Sequence, residues 1–197
     1  MRRLIYGVGF NDADYPVQRM SREGGKVVRE WTCPFYQRWY DILRRCYNKK
    51  ALVKRPNYKN VEICEEWRLF SNFKAWMVKQ DWEGKILDKD LKVKGNNVYS
   101  PETCIFIDNQ INAFIREGHR SKNNLKVGVS YHKRDRVYTA QCYNFLDKKL
   151  VHLGYHEDEE SAHKAYLHYK VNLIHKFYQL GMVTEEVYNL LLKWYLK

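Results

Sequence analysis

The chain has 197 residues, of which 45% are hydrophobic and 15% aromatic, with a formal net charge of +12 and a pI of about 9.4. That is enough apolar material for one ordinary domain or two small ones, and it excludes a disordered chain. No apolar run approaches the ~20 residues of a membrane span, and a basic excess of this kind points to a polyanionic partner, nucleic acid before anionic membrane.

Residues 1–30 open with the apolar stretch LIYGVGF and continue as a polar segment containing Gly24 and Gly25. This predicts a strand followed by a loop. The N-terminal MRRLIYGVGFNDADY lacks an apolar signal core, so a cytoplasmic protein is expected. CPFYQRWYDILRRCYN is predicted helical: Pro34 suits a first turn, and Phe35, Trp39, Ile42, Leu43 and Cys46 share a face. KKALVKRPNYKN reads as a basic loop, and EEWRLFSNFKAWMVKQ as a second helix with Trp67, Phe70, Phe73 or Ala75, and Met77 on its apolar side.

Residues 85–116 predict strand, turn at Gly95-Asn96-Asn97, strand CIFI, and helix from DNQINAFIR. The polar EGHRSKNN is the expected linker. After it, VGVSYH, VYTAQCY and LVHLGYH read as three short strands joined at KRDR and NFLDKK. Asp158, Glu159 and Glu160 suit a helix start, and Ala162, Ala165, Tyr166, Tyr169 and Leu173 repeat at helical spacing. Gly181 breaks that pattern, and Thr184 opens a last helix with Val187, Leu191 and Trp194 on one face. The expected fold is therefore α+β. An N-terminal segment, 1–30, precedes a helical and ββα region, 31–117. A linker, 118–124, leads to a three-stranded antiparallel sheet packed on a helix, 125–178, and a terminal helix, 179–197.

Alternation assigns the sheet's two sides. Val129, Tyr131, Tyr138, Ala140, Cys142, Val151 and Leu153 face the helix; Ser130, His132, Thr139, Gln141, Tyr143 and His152 face away. The turns contribute Lys133, Arg134, Arg136, Lys148 and Lys149. Between residues 119 and 156, eight lysines and arginines stand against two aspartates, half of the chain's excess charge. Cations that anchor phosphates, beside Gln, His and Ser that meet base edges, suit a duplex groove better than a plain solvated face. The candidate DNA-binding set is Ser130, His132, Lys133, Arg134, Arg136, Gln141, Tyr143, Lys149 and His152.

Gly128-Val129, Tyr138-Thr139-Ala140-Gln141, Leu153-Gly154-Tyr155, Glu159-Glu160-Ser161-Ala162 and Ala165-Tyr166 resemble the ethylene-response-factor (APETALA-type) DNA-binding domain over residues 125–175. The resemblance implies a sheet laid in the major groove. The family's strand arginines and tryptophans are mostly not matched, so the docking mode carries over better than the base sequence read.

The segment LDKDLKVKGNNVYSPETCIFIDNQIN, residues 87–112, resembles the HNH (ββα-metal) nuclease motif of phage homing endonucleases. In order, YGVGFNDADYP, CPFYQRW…RCYN and EEWRLFSNFKAWM extend that resemblance over nearly the whole chain. It implies a divalent cation, Mg²⁺, on Asp88 and Asn112, with the Asp90 carboxylate as a third ligand. Lys89 falls where the catalytic His belongs and Thr103 where the orienting Asn belongs. A lysine flanked by carboxylates makes a poor general base. The implied function is sequence-specific double-stranded DNA binding by a phage HNH homing-endonuclease relative with a degenerate site. The alternatives are an active Mg²⁺-dependent endonuclease and a nuclease-derived transcriptional repressor, with RNA binding as a weaker reading. None of the five cysteines forms a C-x-x-C pair, so a structural zinc is not expected. Cys33, Cys46, Cys64 and Cys104 are the set that could converge on a metal, against buried reduced thiols.

Overall fold

A computed structural model of the chain describes residues 3–115 and 124–196. It is a mixed α+β structure made of two compact units, Met1–Phe106 and Ile107–Lys197. Among the described residues, no helix is long and apolar enough to cross a membrane.

The first unit departs from expectation at its start. LIYGVGF is not a strand: Val8 and Gly9 both donate to the Ile5 carbonyl, closing a tight turn around a single Ile5–Gly9 bridge. The strands come later, as an antiparallel ribbon of β1 (Gln18–Glu23) and β2 (Lys26–Thr32). Its tip is Gly24-Gly25, with φ of +54° and +80°, the positive values that a tight hairpin turn demands of both central residues. Helix α1 (Pro34–Tyr47) buries Tyr36, Trp39, Ile42, Leu43 and Cys46, so Tyr36 takes the place expected of Phe35.

The predicted basic loop contains a helix, α2 (Lys49–Lys54), because the Asn48 side chain accepts from the Ala51 amide at 2.9 Å and caps it. A short strand β3 (Glu62–Ile63) follows. The second predicted helix is cut short: extended backbone at Leu69 separates a single turn at Glu66–Arg68 from α3 (Phe70–Met77). The core gathers Trp39, Trp67, Phe70, Phe73 and Met77, all fully buried. The Trp39 indole donates to the Trp67 carbonyl at 2.6 Å.

The two expected strands form as β4 (Ile86–Asp88) and β6 (Ile105–Ile107), and a short strand that was not expected, β5 (Val98–Tyr99), lies between them. Pairing is less simple than a hairpin: β4 pairs with β6, while β5 lies parallel to β3.

In the second unit, α4 (Asn109–Ile115) precedes a sheet of β7 (Val129–His132), β8 (Val137–Asn144) and β9 (Lys149–His156), in that order and antiparallel. Helix α5 (Glu159–Gln179) covers one side of this sheet, and α6 (Glu185–Tyr195) packs on α5. Asp158 caps α5 by accepting from the Ser161 amide at 2.7 Å, and that bond draws its carboxyl below the usual range. Ala162 and Ala165, small side chains, meet Val129, Ala140, Tyr138 and Leu153 of the sheet.

The division between units falls earlier than the linker expected at 118–124, a stretch outside the described residues except for Asn124. The reason is α4. Its Phe114 packs edge-on against Phe145, Phe177 and Tyr195. The Phe114 carbonyl accepts from Lys170 Nζ at 2.6 Å and from the Tyr195 hydroxyl at 3.0 Å. Lys170 is buried, its ammonium 3.6 Å from the Phe114 ring centre and 5.1 Å from that of Tyr195.

Candidate nucleic-acid interface

Sheet register decides which side chains share the open face. Ser130 lies opposite Thr139, Thr139 opposite Tyr155, Gln141 opposite His152, and Tyr143 opposite Leu150. The expected outward set is thus brought together, apart from its ends. Ser130 and Thr139 hydroxyls are 2.6 Å apart, and the Gln141 amide reaches the Ser130 hydroxyl at 3.5 Å. His152 Nδ1 accepts from the Gly154 amide at 3.1 Å, which puts the proton of a neutral ring on Nε2.

Strict alternation misses one residue. A bulge opposite Thr139 and Gln141 inserts an extra position in β9, where Gly154 adopts φ of +110°. Tyr155 is thereby returned to the open face, 67% exposed, with its ring 4.8 Å from His152. A glycine within an otherwise apolar strand was the available signal. Tyr131, expected on the helix side, is partly exposed and leans on Tyr138 with ring centres 4.9 Å apart.

The cations sit at the hairpin tips. Arg136 and Lys148 hold positive φ, +56° and +52°, as turn-closing residues. Asp135 anchors the first tip: it accepts from Arg134 Nε at 2.9 Å and pairs with His132 Nδ1 at 2.9 Å. Lys133, Arg134 and Arg136 are exposed. Lys149 stands opposite buried Asn144, so it starts on the helix side, and exposed Leu150 takes the outward place. Asn144 organises that turn, bonding Asp147, Tyr169, and the Leu146 and Asp147 amides. Lys126 is held by Glu159 and Glu160 at the start of α5, away from these tips.

The nuclease-like segment has a different character. Asp88 Oδ1 accepts from the Asp90 and Leu91 amides at 2.9 and 2.7 Å, forming a tight side-chain-capped turn. Burial pushes the Asp88 carboxyl above the usual range, with the two backbone bonds and the Lys89 charge acting against it. Lys89 is buried, not solvated. Its ammonium donates to Asp90 Oδ1 at 2.7 Å and to the Asn96 carbonyl at 2.5 Å. Asn96 in turn bonds the Lys89 and Val98 backbones. Thr103 Oγ1 donates to the same Val98 carbonyl at 2.7 Å. The two positions of the implied proton-transfer pair are both occupied in holding the 95–100 loop.

A divalent cation requires oxygen donors free to converge on it. At 88–90 one carboxylate oxygen is taken by backbone amides and another by an ammonium that already supplies the positive charge. These residues do not suit Mg²⁺. Asn112, the implied helix ligand, belongs to the other unit. Among the described residues, no group of three or more His, Cys, Asp or Glu side chains could hold a metal ion. Burial pushes the Cys46 and Cys104 thiols up to about 12, as expected of small apolar side chains.

No family model, curated protein or solved structure matches the chain.

Proposed function

We propose that the chain is a sequence-specific double-stranded DNA-binding protein of the phage HNH homing-endonuclease type whose nuclease site is degenerate. It acts in the cytoplasm of the host cell and works by occupying its site, most simply as a repressor. The observation that carries this reading is the open face of the β7–β8–β9 sheet. Ser130, Thr139, Gln141, His152 and Tyr155 form one contiguous polar and aromatic surface. Exposed Lys133, Arg134 and Arg136 stand at one end of it. Such a face meets base edges while the tip cations meet phosphates. Support for a binder rather than a cutter comes from Lys89 and Thr103, whose polar atoms are committed to backbone carbonyls.

The test is selection of bound sites from randomised duplex DNA, followed by incubation of the selected duplex with Mg²⁺ or Mn²⁺. A recovered consensus left intact by the metals is the expected result. Fast metal-dependent cleavage would overturn the degenerate-site reading, and stronger binding to duplex RNA would overturn the DNA reading, because A-form RNA hides its major groove from a docked sheet.

A further inference from the structure

We infer that the β1–β2 ribbon is a second docking element for duplex DNA. The ribbon spans residues 18–32 and contributes nothing to the buried core of the first unit. The Cys33 amide, donating to the Val17 carbonyl at 2.8 Å, closes its base. Nearly every residue is exposed, including Met20 (53%), Val27 (59%), Val28 (38%) and Trp31 (43%). Exposed apolar side chains on an isolated two-stranded ribbon ask for a partner.

Register sorts the charges. Met20 lies opposite Arg29 and Arg22 opposite Val27, so one face carries these two arginines and two apolar side chains. Glu23 is on the other face, across from Lys26, and Glu30 falls at the bulge. On that second face Arg19 lies over the Trp31 ring at 5.7 Å. Among the described residues, neither Arg22 nor Arg29 is in an ion pair.

This pattern selects the occupant. Exposed arginines outside any ion pair among the described residues attract a polyanion, and a second copy of a chain charged +12 is repelled. The B-form major groove is wide enough for a two-stranded ribbon, whereas the A-form RNA major groove is too narrow. Met20 and Val27 would meet thymine methyl groups or sugars while Arg22 and Arg29 meet phosphates or guanine edges. The inference shares its ligand class with the reading above but uses different residues in the other unit.

The experiment uses the full chain, random-sequence duplexes of DNA and of RNA, and a salt series. R22Q/R29Q should weaken DNA binding several-fold and lower the slope of log K against log salt by about 1.8, roughly 0.9 for each phosphate that is no longer neutralised. A photocrosslinker at exposed Val27 should label DNA. Unchanged affinity and slope with no labelled DNA overturns the inference, as does a Val27 crosslink to another copy of the chain or preferential binding of RNA. R134Q/R136Q distinguishes the two failures. If that variant loses binding while R22Q/R29Q does not, the sheet reading stands and the ribbon inference falls. If the wild type binds no duplex DNA, both fall.

Discussion

Lys89 and Asn96 clasp each other: the Lys89 ammonium donates to the Asn96 carbonyl at 2.5 Å, and the Asn96 amide donates to the Lys89 carbonyl at 3.0 Å. Lys89→Met keeps the apolar stem and removes only the charged half of this clasp. The Asn96 carbonyl loses that donor. Stability should fall by about 1–3 kcal/mol in urea titration, in the range for a lost charge-assisted hydrogen bond. DNA affinity should stay within about twofold, since the proposed reading surface is the C-terminal sheet. Cleavage that disappears with the lysine, at unchanged stability, would give it a chemical role instead.

At the first sheet hairpin, Asp135 ties down both Arg134 and His132. Asp135→Asn removes a negative charge from a tip proposed to meet phosphate. DNA binding should tighten, with a steeper salt dependence, because the freed cations displace more counterions. Weaker binding by this variant would mean that Asp135 positions Arg134 rather than restrains it.

Tyr155 is expected to affect base preference without affecting the fold. It is largely exposed, so Tyr155→Ala should leave stability within about 0.5 kcal/mol. Gln141→Ala should act in the same way on a neighbouring base step, because Gln141 pairs with His152, whose ring meets that of Tyr155. Site selection with each variant is the readout. A consensus identical to the wild type would remove these residues from the reading surface.

The pH behaviour of the second unit should carry the signature of Lys170. Burial lowers its pKa to about 8, below the ordinary lysine value. Below that pH both folded and unfolded chains hold the proton, and the cost of burying the charge is fully present. As pH rises past about 8 the folded state sheds the proton that the unfolded state still binds, so stability rises until the ordinary lysine value is reached. Lys170→Met abolishes that rise and still leaves the Phe114 carbonyl its bond from Tyr195. At neutral pH it should be close to neutral in effect, within about 1 kcal/mol, since a buried charge is removed together with its hydrogen bond. The difference between wild-type and variant melting from pH 7 to 10 isolates the group from other titrations.

Elements with a buried face were legible. The apolar face of α1, the alternation of the three C-terminal strands and the Asp158 cap were readable because core burial imposes a period on the sequence. The β1–β2 ribbon was not, since strands exposed on both faces carry no alternation, and VVREW looks like neither pattern. The LIYGVGF run misled for the opposite reason: its apolar residues pack around a turn in which Tyr6 and Gly7 take positive φ. At the candidate sites, Lys89 stood out between Asp88 and Asp90, but its burial was hidden because a lysine in a charged run reads as solvated. Tyr155 was missed because a single bulge inverts the alternation after it.

The attachment of α4 has a consequence for how this chain can be divided. Cutting within the polar stretch before the sheet separates Phe114 from Phe177, Tyr195 and Lys170. The C-terminal piece would then display an aromatic hollow with a buried cation newly open to water, and the N-terminal piece would end in an apolar helix without a seat. A gene encoding a transplantable version of the sheet module should begin near Ile107. By the same logic, inheritance of this module between proteins would carry α4 with it, because the Phe114 carbonyl is held by Lys170 and Tyr195.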